Sequence, residues 1–286
     1  MSPLESAPAD ATARAEAHDP LLALAAAGDW QTLARLGRFG LAGRTLRLAG
    51  GAEGGEDALD ALEALAEVEV AVRAKAVARA RRRFDGLERR PLGWLDWDAV
   101  ASDLERLAVA VPAVDRREPE TARAALAELR SDVFTAEREV LLGTLAVLEG
   151  DDATGLAHFE VGLARDPNHV RGLTNRGNAK LEAGDVDGAI EDYERAIRVD
   201  EGFANAHHNL GVAYRRKGQI GKSVAALRRA QRHAARRDAE DARASLGGGT
   251  RGSGSAPASG GRLRRWLIIG ALGVLAYWLL QQRGLI

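Results

Sequence analysis

Residues 173–197 read LTNRGNAKLEAGDVDGAIEDYERAI, two apolar stripes at helical spacing with a break between them. Leu173, Gly177, Ala179 and Leu181 form the first stripe, and Gly184-Asp185 ends its helix. Ala189, Ile190, Tyr193, Ala196 and Ile197 form the second at steps of three and four. The stretch predicts helix, turn, helix. Gly177 and Ala189 are small enough for the two axes to approach closely, with Tyr193 filling the wedge beside them.

Sliding the chain against itself by 34 residues aligns three segments, which start at Ala136, Val170 and Ala204 and run without gaps to Arg237. One column holds Gly143, Gly177 and Gly211, and a second, seven residues later, holds Gly150, Gly184 and Gly218. A third holds a large apolar or aromatic side chain: Phe159, Tyr193, Leu227. Three columns at one fixed offset are an internal repeat. A single hairpin of this kind cannot bury both faces, so copies must stack, and about three are the usual minimum for stability.

At Ala183 to Ile197 the sequence resembles tetratricopeptide repeats, and Asp166-Pro167 stands where that family often closes a repeat. The resemblance covers about 102 of 286 residues. It departs from the pattern at Glu201, where the family places proline, and at Gly155 and Ser223, where it prefers alanine. The resemblance implies a scaffold that receives partner segments in a groove lined by the first helix of each repeat. Family asparagines there often bond the backbone of an extended peptide, and Asn175, Asn178, Asn205 and Asn209 fall at such positions. An amide suits this, since it both donates and accepts. Arg171 and Arg176 are nearby cations that would favour an acidic peptide. The family's two-carboxylate clamp needs lysine where this chain has Val140, which disfavours that ligand. Solvation of a helix surface is the other reading of these asparagines.

The whole chain is 46% apolar and 28% charged, with runs of strand-type alternation missing, so the expected fold class is all-α. More fully, it is a helix-turn-helix repeat solenoid with an N-terminal helical region and a single C-terminal transmembrane helix. The expected divisions are 1–18 a disordered N-terminus without periodicity or signal-peptide character, 19–135 a helical region with room for degenerate repeats, 136–244 repeats and terminal helix end, 245–261 a flexible Gly/Ser linker, and 262–286 a membrane anchor. With no cysteine, disulfides, thiolate metal sites and cysteine nucleophiles are excluded.

Within 19–135, Gly28-Asp29-Trp30 echoes the turn at Gly184-Asp185 and suggests a degenerate fourth hairpin. One long helix is expected over 56–84, then packed tryptophans at Trp94 and Trp97, a helix over 98–109, a connector over 112–119, and a helix over 120–129. The basic stretch from Arg73 to Arg90 reads as the solvated face of an amphipathic helix, with a phosphate or lipid contact as the alternative.

Charge changes sign along the repeats. The first two are acidic, whereas Ala204 to Arg237 carries nine basic residues and no acidic one. Arg215, Arg216, Lys217, Lys222, Arg228 and Arg229 are assigned to a membrane-proximal basic face, with anionic lipid as its ligand. Beyond the linker, Trp266 to Leu280 is uncharged and apolar, with Trp266, Tyr277 and Trp278 towards its ends as interfacial aromatics. Fifteen residues rise only about 22 Å against a hydrocarbon core of about 30 Å, a gap that snorkelling and local thinning narrow. Arg262, Arg264 and Arg265 before the run, against Arg283 after it, place the repeats on the cytoplasmic side. An Ala-, Arg- and Gly-rich composition points to a bacterial inner membrane.

The expected function is a non-enzymatic, membrane-anchored scaffold for an unidentified protein or peptide. The alternative is a binder of anionic lipid head groups or nucleic acid through basic helical faces, though a net charge of −1 argues against nucleic acid. No cofactor and no metal is expected. His207 and His208 are adjacent and lack the i, i+4 spacing of a zinc pair, and Asp185-Val-Asp187-Gly has Ala196 where a calcium loop needs Glu.

Overall fold

The structure, a computed structural model, describes residues 20–50, 55–89 and 92–247. In chain order the helices are α1 (Pro20–Ala26), α2 (Trp30–Arg35), α3 (Phe39–Leu48), α4 (Gly55–Arg73), α5 (Val77–Asp85), α6 (Trp97–Asp115), α7 (Pro119–Ala127), α8 (Thr135–Leu148), α9 (Asp152–Arg165), α10 (Val170–Glu182), α11 (Val186–Val199), α12 (Ala204–Arg216) and α13 (Ile220–Gly247). A 3-10 turn, Asp132–Phe134, precedes α8, and no strand occurs among the described residues. The chain divides into two units, Met1–Arg236 and Arg237–Ile286, and of the second only the end of α13 is described.

The three repeats are the pairs α8–α9, α10–α11 and α12–α13. Their glycine and aromatic columns turn out to be one contact made three times. A Cβ at Gly143 would lie 2.7 Å from the Phe159 ring, at Gly177 2.7 Å from Tyr193, and at Gly211 2.7 Å from Leu227. Phe159 and Tyr193 are fully buried there. Where the second helix departs from alanine, neighbours compensate: Val147 occupies the space a Cβ would need at Gly155, and Ser223 Oγ donates to Gly211 O at 2.7 Å.

Each hairpin turns the same way. Gly184 sits at φ +89°, the left-handed region that closes a helix, and the Asp185 N–H returns to Lys180 O. The Asp185 carboxylate then caps α11 by accepting from Gly188 N–H at 2.9 Å. Gly28 (φ +73°) and Asp29, which accepts from Thr32 N–H at 3.0 Å, repeat this turn between α1 and α2. Those helices are half-length, however, because a second turn at Gly37 (φ +71°) follows, pressed against the Val133 carbonyl.

The rest of the N-terminal region corrects the sequence reading. The single helix expected over 56–84 is two, α4 and α5, broken at Lys75, which takes φ +57° without being glycine. Likewise α6 continues through Pro112 to Asp115, and Arg117 at φ +59° turns the chain into α7, which starts at Pro119. Proline in a helix costs about 3 kcal/mol. The burial of Val111, Ala113 and Val114 around it offsets that.

The first repeat shares its core with this region. Leu141 and Leu145 of α8 are buried in the same cluster as Leu62, Leu65, Leu104 and Leu107. Trp94 packs edge-on against Trp30 at 5.8 Å and Trp97 against Phe84 at 5.6 Å, so both tryptophans are core residues. Part of the basic stretch is paired: Lys75 with Asp115, Arg81 with Asp85 one turn on and with Glu105 on α6, and Arg83 with Glu67 on α4, while Arg79 and Arg82 are exposed.

At the other end α13 runs past the repeat register at 237 and ends at Gly247, close to the expected helix end at 244. Asp166-Pro167 and Asp200-Glu201-Gly202 stop α9 and α11, while the corresponding Ala234-Ala235-Arg236-Arg237 contains no breaker.

Candidate functional site

The first helices α8, α10 and α12 stand in a row, and a ladder of polar side chains crosses between them. Asn175 Nδ2 donates to Thr144 Oγ1 at 3.0 Å, from the second repeat to the first. Asn209 Nδ2 donates to Asn178 Oδ1 at 2.7 Å, from the third to the second. Both bonds span 31 residues, one repeat less a step of three along a helix, so they are the same contact at successive joints. Tyr193 OH also donates to Asn178 Oδ1, at 2.8 Å. Burial, with Asp192 nearby, pushes that phenol well above its ordinary pKa, which keeps it a donor.

The ladder fixes which end of each amide looks outward. Among the described residues Asn175 Oδ1, Asn178 Nδ2 and Asn209 Oδ1 have no protein partner. Asn205 is exposed one turn before Asn209. Asn175, Asn178 and Asn209 make these contacts with Thr144 and Tyr193, whose polar roles the sequence reading did not assign, while Asn205 makes none among the described residues.

The two arginines expected beside them are elsewhere engaged. Arg176 makes a bidentate pair with Asp192 on α11, at 2.8 and 2.6 Å, and Lys180 joins it at 2.9 Å. Arg171 binds Glu137 and, through Nε, the Arg73 carbonyl at 3.0 Å. Neither is left as a spare cation for an acidic peptide.

Arg171 belongs to a clasp between the repeats and the N-terminal region. Arg38 and Arg73 each bridge Glu69 and Asp166, while His169 and Arg171 both meet Glu137. Burial pushes the Glu69 carboxyl up to about 7, against the pull of Arg38. Burial alone would also raise Glu137, but Arg171 and His169 outweigh it and hold that carboxyl at about 2. The cavity at this joint encloses about 30 Å³, far below the several hundred that organic ligands occupy, so the clasp is structural.

The expected basic face divides in two. Arg216 bonds Leu181 O and Lys217 pairs with Asp187, both on the second repeat, while Lys222 lies 5.3 Å over the Tyr214 ring. Arg215, Arg228 and Arg229 are exposed. His207 is buried, stacked 5.0 Å from His233, with Nε2 2.9 Å from the Glu201 carbonyl, and His208 is exposed. The apolar run 266–280 lies outside the described residues, and no helix among those described is long and apolar enough to cross a membrane.

The human protein named Tetratricopeptide repeat protein 36 is 36% identical over 66 residues, which are 23% of this chain and 35% of that relative. The chain thus spans about a third of the relative's length. Similar solved structures include one described as the crystal structure of MamA, 19% identical with a TM-score of 0.40, covering 60% of this chain and 96% of its own. Another, described as YrrB, a TPR protein with an unusual peptide-binding site, is 19% identical with a TM-score of 0.37, covering 58% and 82%. The family profile described as TPR repeat matches residues 177–218, from the glycine that receives Tyr193 to the glycine that closes α12. Residues 177–218 thus resemble a tetratricopeptide repeat, within an all-α stack of helix pairs among the described residues.

Proposed function

We propose that this chain is a non-enzymatic scaffold that holds an extended segment of a protein partner across α10 and α12, and that residues 266–280 anchor it in a membrane with the repeats on the cytoplasmic side. The outward amide groups carry the first part of this reading. Asn175 offers an acceptor, Asn178 a donor and Asn209 an acceptor. An extended peptide presents alternating N–H and C=O groups that answer such a row. Because Arg171 and Arg176 are already paired, the recognition rests on backbone rather than on acidic side chains. The anchor is supported by the uncharged apolar run and its flanking arginines.

Each hydrogen bond of this kind contributes about 0.5–1.5 kcal/mol. A chain carrying alanine at Asn175, Asn178, Asn205 and Asn209 should then bind its partner roughly a hundredfold more weakly. Affinity capture from gently solubilised membranes, with helicity matched between the two proteins, tests this. A partner retained by the native chain and lost by the variant supports the reading; equal capture by both removes it.

A further inference from the structure

The outward side of α13 has the form of a repeat surface that, among the described residues, no repeat covers. In the second repeat Ile190 is buried against Leu210 and Ala213 of the third. Thirty-four residues on, Val224 is 42% exposed, and Ile220, on the same stripe, is 59% exposed. At 100° per residue, Ile220, Val224 and Gln231 lie along one flank of the outward side, and Arg228, Arg232 and Arg229 along the other. The three arginines are exposed and have no carboxylate partner among the described residues. Arg216 and Lys217, by contrast, turn back towards the second repeat and pair with its Glu182 and Asp187.

We propose that this face of α13 rests on an anionic lipid surface, with Ile220 and Val224 entering the head-group layer and Arg228, Arg229 and Arg232 meeting lipid phosphates. An apolar flank beside a basic flank on one helix is the pattern of an interfacial helix. Each Arg near an anionic leaflet strengthens attachment about fivefold. Charge selects this occupant over two others. A second copy packed two-fold on this face would bring the same patch, from a repeat with nine basic and no acidic residues, against its like. The chain's own apolar run is introduced by Arg262, Arg264 and Arg265, which the patch also repels. Only residues 248–265 separate the end of α13 from that run, so a membrane holding the run is within a short chain length; this clause rests on the anchoring proposed above.

The chain has no cysteine, so Val224→Cys in the full-length protein gives a single site for an environment-sensitive fluorophore. The labelled protein is mixed with vesicles of phosphatidylcholine alone or with added phosphatidylserine, and flotation is read in parallel. The expected result is a blue shift with phosphatidylserine only, reversed by high salt and abolished by Arg228→Glu with Arg232→Glu. An Ile220→Cys label must report the same, which guards against a folding defect at either site. Equal emission with both vesicle types overturns the proposal. So does a blue shift that grows with protein concentration without vesicles, which would mean a second copy, or one produced by an acidic polypeptide but not by phosphatidylserine. Flotation judges the anchor separately. Protein that floats with both vesicle types without a shift sinks the lipid face alone. A phosphatidylserine-dependent shift without flotation on pure phosphatidylcholine sinks the anchor and leaves the face standing.

Discussion

Asn209 and Asn178 are joined by a 2.7 Å hydrogen bond in which Asn178 supplies only its oxygen, an atom that also accepts from Tyr193. The Asn178 amide is thereby held with its nitrogen outward. Asn178→Asp keeps the acceptor for both neighbours and exchanges the outward donor for a second oxygen. Urea unfolding should move by no more than about 1 kcal/mol, while affinity for the captured partner should fall about tenfold or more as a carboxylate meets peptide carbonyl oxygens. Unchanged affinity would take Asn178 out of the recognition.

Gly177 makes a different demand. Alanine in place of glycine usually helps a helix by roughly 1 kcal/mol. Here its Cβ would come within 2.7 Å of the buried Tyr193 ring. Gly177→Ala should destabilise by about 1–3 kcal/mol, the usual range for overpacking. Thermal unfolding should show it, together with the same sign at Gly143 and Gly211.

Lys75 and Arg117 hold positive φ angles that the repeats assign to glycine. Lys75→Gly and Arg117→Gly should each stabilise by about 0.5–1 kcal/mol through relief of backbone strain. For Lys75 the gain is reduced a little by losing a half-exposed pair with Asp115. Chemical denaturation of the two single variants checks this.

These two positions also show what the sequence could and could not convey. Turns marked by Gly-Asp were legible, as were the glycine and aromatic columns, because each sits at a fixed offset. The break at Lys75 was not, since an amphipathic stripe runs on across it and a lysine at φ +57° leaves no compositional trace. For the candidate face, residue type and register located the asparagines. They misplaced the role of Arg171 and Arg176, since both depend on partners that only packing brings near: Glu137 one repeat back and Asp192 on the opposing helix. Of the clasp, nothing in the sequence joined Arg38 to Asp166.

Glu69 and Glu137 give the clasp opposite responses to pH. The Glu69 carboxyl is raised to about 7 from an ordinary 4.5, so the folded state holds its proton longer. Its contribution is fully present below about 4.5 and is lost as pH rises through about 7. Glu137, held at about 2, contributes above about 4.5 and loses this as pH falls through about 2. Glu69→Gln should therefore gain on the native chain by up to roughly 3 kcal/mol between pH 5 and pH 8. Urea unfolding at those two pH values reads it, and a difference that stays constant would contradict the assignment.

The most direct test of the recognition face is site-specific photo-crosslinking in living cells, with a benzophenone amino acid at Asn205 on α12 or at Glu191, exposed on α11. The account predicts an adduct with a partner polypeptide from position 205 that is absent from position 191 and weakened by Asn178→Asp. An adduct from 191 alone, or one from 205 indifferent to Asn178→Asp, would contradict it.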